Sequence, residues 1–349
     1  MTTFHHVLRR RFVFRSLAAW LAAGSMATAA VPAAMAQDGS AAASRTPTGK
    51  VPAAVSVLSI VEHPSLDALR DGLHDELKDA GYQDGKSLHW AYQSAQGNQG
   101  TAVQIARKFV GDRPDVIVPI ATPAAQAVVS ATHQIPVVYN AITDPIAAQI
   151  VKSMAPSGTN VTGVSDKLVA DRQVAFIKRV VPDVKRVGII YSPAEANSVS
   201  ATREMKVALE KQGISLVEVA APRSIDVGQA AQRLVGKVDV IYTSNDNNVI
   251  SAYESVIKVA NAAKIPLICA DRSSVQRGAT GAMAIDYYRM GRQTGRMVLR
   301  ILNGEKPGDI ASETSDRLDI TLNLDAARRQ GATLSPELQA EASEIFGKP

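Results

Sequence analysis

The chain says nearly the same thing twice, about 130 residues apart, and an internal repeat of that length means two supersecondary units of one kind. The first copy runs Val55-Ser-Val-Leu-Ser-Ile60, a helical stretch to Gly81, then Pro114-Asp-Val-Ile-Val118, Ala121-Thr-Pro-Ala-Ala-Gln126, Gln134-Ile-Pro-Val-Val138 and Thr143-Asp-Pro145. The second runs Arg186-Val-Gly-Ile-Ile190, a helical stretch to Gly213, then Val238-Asp-Val-Ile-Tyr242, Asn245-Asp-Asn-Asn248, Lys264-Ile-Pro-Leu-Ile268 and Ala270-Asp-Arg272. Each copy alternates an apolar run with an amphipathic stretch, the pattern of parallel strands covered by helices on both faces. The repeat predicts an α/β fold of two parallel-sheet lobes with one cleft between them.

Within the first copy, Leu66, Leu69, Leu73 and Leu77 recur at helical spacing, and Gly81 stands where a left-handed cap is expected. Residues 88–92 read as a strand, 101–110 as a helix and 115–119 as a strand. The second copy repeats that order through Met205 and Leu209, residues 215–220 and residues 228–235. Residues 286–303 form a long helix with Met290, Met297, Leu299 and Leu302 available for packing, and it should return to the first lobe. Residues 318–324 then supply a strand to the second. The expected organisation is 51–164 plus about 286–312 for the first lobe, and 165–285 plus about 313–345 for the second.

Residues 1–36 read as a secretory signal. Arg9, Arg10, Arg11 and Arg15 form a positive start, an apolar stretch begins at Leu17, and Ala34-Met-Ala36 precedes Gln37 with small residues. Gly24, Ser25, Thr28 and Pro32 interrupt the run before the ~20 apolar residues of a spanning helix accumulate. Arg9-Arg-Arg-Phe12 matches the core of a twin-arginine signal, but Leu8 stands where Ser or Thr is usual, so the general secretory route is favoured. Cleavage near Ala36/Gln37 would leave 37–50 as a flexible linker. Of the 38 lysines and arginines, four lie in residues 1–36, so the remainder carries 34 bases against 33 acids. That balance removes any case for a nucleic-acid surface. Cys269 is the only cysteine, which excludes an internal disulfide, and none lies near the cleavage site to carry a lipid. A periplasmic protein, expected to be a monomer, follows.

In parallel α/β sheets, ligands meet the loops at the carboxyl ends of the strands. Those loops hold Glu62 and Ser65, Thr122, Thr143 and Asp144, Asn197 and Ser198, Asn245, Asp246 and Asn247, and Asp271. Thr122 before Pro123 reads as an N-cap with proline at N1, leaving N–H donors for a carboxylate or phosphate. Asp144, Asp246 and Asp271 follow successive strands and could converge on a ligand cation, with Asp246 favoured among its asparagines. They are also ordinary caps of strand-to-helix turns. Tyr139 and Tyr191 at strand ends could stack on a planar ligand or simply fill the strand–helix interface. The histidines have no metal-gathering spacing, and no Ser–His–Asp or paired-acid set is legible, so no metal, no cofactor and no catalytic residue is expected.

Several segments, in order across residues 51–335, carry a resemblance. They are Ile60-Val-Glu-His-Pro-Ser-Leu-Asp67, Ile120-Ala-Thr-Pro-Ala-Ala-Gln126, Ala141-Ile-Thr-Asp-Pro145, Asn160-Val-Thr-Gly-Val-Ser-Asp166, Ala194-Glu-Ala-Asn-Ser198 and Ile285-Asp-Tyr-Tyr-Arg-Met-Gly-Arg-Gln-Thr-Gly295. The chain resembles the ABC transporter substrate-binding proteins of the tryptophan/tyrosine type. The resemblance implies the type I periplasmic binding protein fold, two hinge-linked Rossmann-like lobes closing over a small ligand. It also implies delivery of that ligand to an ABC permease and ATPase complex at the inner membrane. An amino acid would place its carboxylate near Thr122, its ammonium at Asp246 or Asp271, and its side chain near Tyr139 or Tyr191. A sensory ligand-binding protein and an enzyme on the same scaffold remain the alternatives.

Overall fold

The computed structural model describes residues 46–315 and 317–348. The expectations for the secretory signal and for residues 37–45 lie outside them. The last residues of the expected linker are not loose: the Lys50 N–H donates to the Leu302 carbonyl at 2.9 Å. Leu302 ends a helix, where backbone carbonyls have no partner within the helix and accept from whatever segment passes.

The first repeat gives β1 (Ala53–Ser59), α1 (Pro64–Asp79), β2 (Leu88–Ser94), α2 (Gln99–Asp112), β3 (Val116–Ile120), α3 (Thr122–Ala131), β4 (Val137–Asn140) and β5 (Val161–Ser165). After it come α4 (Ala170–Val180), β6 (Arg186–Tyr191), α5 (Ala196–Glu210), β7 (Ser215–Ala220), α6 (Val227–Leu234) and β8 (Val240–Thr243). The second repeat closes with α7 (Asn247–Ser251), α8 (Tyr253–Ala263), β9 (Leu267–Asp271), α9 (Arg272–Arg277) and β10 (Gly281–Ile285). The tail adds α10 (Tyr287–Leu302), β11 (Glu313–Thr314), β12 (Leu318–Asn323), α11 (Leu324–Arg329), α12 (Pro336–Glu341) and β13 (Glu344–Phe346).

Among the described residues these strands make two sheets. One is ordered β11-β5-β4-β3-β1-β2 and the other β13-β12-β10-β9-β8-β6-β7. The series β2-β1-β3-β4-β5 and β7-β6-β8-β9-β10 match position for position, so the repeat in sequence is a repeat in topology. All pairings are parallel except β10 with β12. Strands β3, β4, β8 and β9 are buried at every position, as expected of strands covered on both faces.

The chain passes between the sheets after β5, after β10 and after β11. The return after α10 comes slightly later than the expected residue 313, because Glu313 and Thr314 first pair with Val164 and Ser165 at the edge of the first sheet. The helix α10 packs on α1, with Met290 and Met297 in the first lobe's core. Backbones nearly touch there: a Cβ on Gly291 would lie 2.0 Å from the Leu69 carbonyl oxygen, and one on Gly72 would lie 2.1 Å from that of Tyr288. Only glycine permits that approach.

Candidate functional site

The carboxyl ends of the two parallel sheets face each other, and their loops meet in a polar seam. On the first lobe, β3 passes into α3 through Ala121, whose φ of 72° and ψ of 155° belong to a region essentially reserved for glycine. Ala141, after β4, also has a positive φ of 55°. Two strained alanines on neighbouring strand ends mark a surface shaped for something other than stability. The Ala121 N–H donates to the Asn140 carbonyl, tying the two ends together.

That geometry corrects the expected cap. Ala121 is the N-cap, with no side chain to accept, while Thr122 is the first helical residue and Pro123 the second. The Thr122 Oγ1 is buried without a partner, and so are both polar atoms of the Asn140 side chain. His63 caps α1 through Nδ1, which accepts from the Leu66 N–H, so its proton sits on Nε2. That Nε2 is buried and unpartnered, although Asn247 of the other lobe lies close by. Burial pulls the His63 pKa down to about 4, against the opposing influence of Asp271.

The second lobe presents a network rather than a row of free carboxylates. Asp246 caps α7 through Oδ1 and accepts from the Val249 N–H, the Ser192 N–H, the Ser192 hydroxyl and the Ser198 hydroxyl. Its expected part as the ligand's ammonium partner is therefore displaced, because four protein donors already occupy its two oxygens. Asp144 likewise caps a turn by accepting from the Ala147 N–H, and its other oxygen accepts from Ser200 across the seam at 3.1 Å. Asp271 caps α9 through Oδ1, which also accepts from Ser65 of the first lobe at 2.7 Å. The three aspartates do not converge. Asp246 and Asp271 satisfy helix starts and Asp144 a turn, and two of the three fasten one lobe to the other.

Buried acids sit elsewhere in the seam. Asp166, on the crossover after β5, is enclosed and accepts from Tyr287 at 2.7 Å, Thr143 at 2.9 Å and Asn245 at 2.9 Å. Burial raises its pKa against those donors. Glu195 accepts from the side chains of Asn197 and Asn247, and burial together with nearby Asp246 raises its pKa to about 7. The Oδ1 atoms of Asn197 and Asn245 and the Ser244 hydroxyl are buried and unpartnered.

The seam thus gathers Ser65, Thr122, Thr143, Asp144, Asn197, Ser198, Asn245, Asp246, Asn247 and Asp271. Glu62 is left out, being exposed and bonded to Tyr92 and Gln96 on its own lobe. Tyr139 is a core residue with its hydroxyl beside Ser312 and its ring filling the space over Gly163; burial pushes its pKa up to about 12. It cannot stack on a ligand. Tyr191 is half-buried at the end of β6. Sequence reasoning missed His63, Asn140, Asp166 and Glu195; His63, Asn140 and Glu195 lie in or beside a loop it had marked, whereas Asp166 follows β5, whose end it had not marked. No helix among the described residues is long and apolar enough to cross a membrane.

Comparison with known proteins fits this arrangement. The family profile described as ABC transporter substrate binding protein matches residues 54–346. A tyrosine-binding protein of Clostridioides difficile is 39% identical over 274 residues, covering 78% of this chain and 79% of that protein. A conserved domain protein from Vibrio cholerae superimposes with a TM-score of 0.83 at 47% identity, covering 84% of this chain and 99% of its own. An ABC domain from Streptococcus pneumonia in complex with L-Trp gives 0.81 at 34% identity, covering 84% and 99%. The ligand-free, open structure of a Clostridium difficile substrate-binding protein gives only 0.65 at 37% identity, covering 85% and 100%. With two lobes of repeated topology meeting at a buried polar seam, and the profile spanning both, this chain belongs to the ABC transporter substrate-binding protein family.

Proposed function

We propose that this protein is the exported solute-binding component of an ABC importer, that it takes an aromatic amino acid into the seam between its lobes, and that it leaves that ligand chemically unchanged. The observation carrying this reading is the set of buried, unpartnered polar atoms contributed by both lobes: His63 Nε2, Thr122 Oγ1 and the Asn140 amide from one, Asn197 Oδ1, Ser244 Oγ and Asn245 Oδ1 from the other. Leaving such groups unsatisfied costs roughly 1–3 kcal/mol each, so a site holding several is built for a polar occupant. The relatives that bind tyrosine and L-Trp supply the ligand class.

An amino acid would set its carboxylate on Thr122, Asn140 and the uncapped start of α3, where backbone donors and the helix dipole favour an anion. His63, neutral, offers Nε2–H. The ammonium would face Asp271, whose Oδ2 accepts no hydrogen bond among the described residues, with Glu195 as the other nearby acid. Direct cross-lobe bonds such as Ser65–Asp271 support reading the arrangement as a closed form, and so does the better superposition on the L-Trp complex than on the open structure. Periplasmic residence rests on the secretory signal read in residues 1–36.

Calorimetric titration with L-Trp, L-Tyr and L-Phe tests the reading, with mass spectrometry of the released ligand. At least one should bind and be recovered intact, and Asn140→Ala should weaken it by ~10-fold or more. Failure of all three to bind, or recovery of a product, would overturn it.

A further inference from the structure

We propose that the seam has a distal polar subsite, formed by Gln173, Ser244 and Asn245, that reads a hydrogen-bond donor at the far edge of the ligand's ring and so selects tyrosine or tryptophan over phenylalanine. This rests on the aromatic amino-acid reading above. A cavity of about 30 Å³ lies between Thr143 of the first lobe, Gln173 on α4, Met205 on α5, and Tyr242, Ser244 and Asn245 at the end of β8. Its size suits one hydroxyl-sized group rather than a ring, since about one probe sphere of ~10–15 Å³ holds a water.

The polarity of the lining is fixed by bonds on its far side. The Gln173 Nε2 donates to the Met283 carbonyl at 3.1 Å, which sets the amide orientation because a carbonyl can only accept. The Asn245 Nδ2 donates to the Asp166 carboxylate at 2.9 Å, fixing that amide in the same way. Gln173 Oε1 and Asn245 Oδ1 are therefore acceptors, and both are buried with no partner, as is the Ser244 hydroxyl. Gln173 is itself only 1% exposed. Two fixed acceptors in a small buried space call for a donor. A phenol O–H or an indole N–H supplies one, whereas a phenyl ring supplies none and leaves both acceptors stranded. An ordered water could also satisfy them, and then the ring edge would not matter.

Calorimetry on the purified protein with L-Tyr, L-Trp and L-Phe separates these cases. Tyrosine, tryptophan or both should bind at least ~10-fold tighter than phenylalanine, because a site built to bond a polar group rejects the analogue lacking it. Gln173→Leu should bring that ratio close to one while changing phenylalanine affinity little, and Ser244→Ala, a smaller change, should reduce it. Equal affinity for all three in the wild type, or a preference surviving in both variants, would overturn the subsite while phenylalanine binding left the amino-acid reading standing. If none of the three binds, that reading fails and the subsite falls with it.

Discussion

Glu195 and His63 face the same seam from opposite lobes and are displaced in opposite directions by the same cause. Burial disfavours the charged form of each, raising the carboxyl to about 7 and lowering the imidazole to about 4. The two act oppositely on stability. Glu195 contributes stability that is fully present below its unfolded value near 4.5 and lost as pH rises through 7. His63 contributes stability present above 6.5 and lost as pH falls towards 4. Glu195→Gln should therefore be more stable than the wild type above pH 7, by roughly 3 kcal/mol given ~1.4 kcal/mol per pKa unit, and equal to it near pH 4. Urea midpoints at several pH values measure this, and a pH-independent difference would refute the displaced carboxyl. Asp246 calls for the reverse of its sequence reading. Asp246→Ala removes the shared acceptor of four donors within one lobe, so it should lower stability by several kcal/mol, read as a drop in the urea midpoint, before it touches affinity. The loops were legible in sequence because small polar residues at strand ends announce themselves. Which atoms within them were already satisfied was not, since Ser192 and Asp246 are 54 positions apart and only the fold brings them together.

At the level of elements, much of the architecture follows from periodicity. The leucines of α1 at spacings of three and four are all buried, and Gly81 takes its positive φ of 94°. The apolar runs at 116–120 and 267–271 became central strands. What periodicity could not show is how α10 meets α1, because a crossing set by absent side chains leaves little hydrophobic signal. Gly72, Gly291 and Gly295 let the two backbones approach, and that contact holds the tail's long helix on the first lobe. Gly291→Ala would force a methyl to within 2.0 Å of the Leu69 carbonyl oxygen, so the helices must part. Overpacking of this kind costs ~1–3 kcal/mol and sometimes more, and here rigid backbone rather than a mobile side chain stands in the way. Thermal unfolding should show the loss. An alanine variant melting like the wild type would mean the helices are free to slide. Strand β11 was illegible for a different reason: two polar edge residues carry no pattern of their own and pair only because β5 offers an open edge.

For the whole molecule, the question is what holds the lobes together and what the ligand adds. The protein's own cross-lobe bonds include two from hydroxyls to carboxylates, Ser65 to Asp271 and Ser200 to Asp144, and a neutral one from Gln99 to the Ala194 carbonyl. The neutral bond is worth ~0.5–1.5 kcal/mol and those to a carboxylate ~1.5–3 kcal/mol each, enough to bias a hinge but too little to lock it. A ligand that touches both lobes then shifts the population through contacts available only when they meet. Ser200 tests this cleanly, because its hydroxyl bonds Asp144 across the seam while Asp144 keeps its own cap at Ala147. Ser200→Ala removes stabilisation from the closed form alone, so apparent affinity falls by the drop in the binding-competent fraction. The expected loss is ~10-fold or more and, unlike a change in the subsite, must be the same factor for every ligand that binds. Parallel titrations with two ligands decide it. A loss confined to one of them would make Ser200 a contact residue rather than part of the latch.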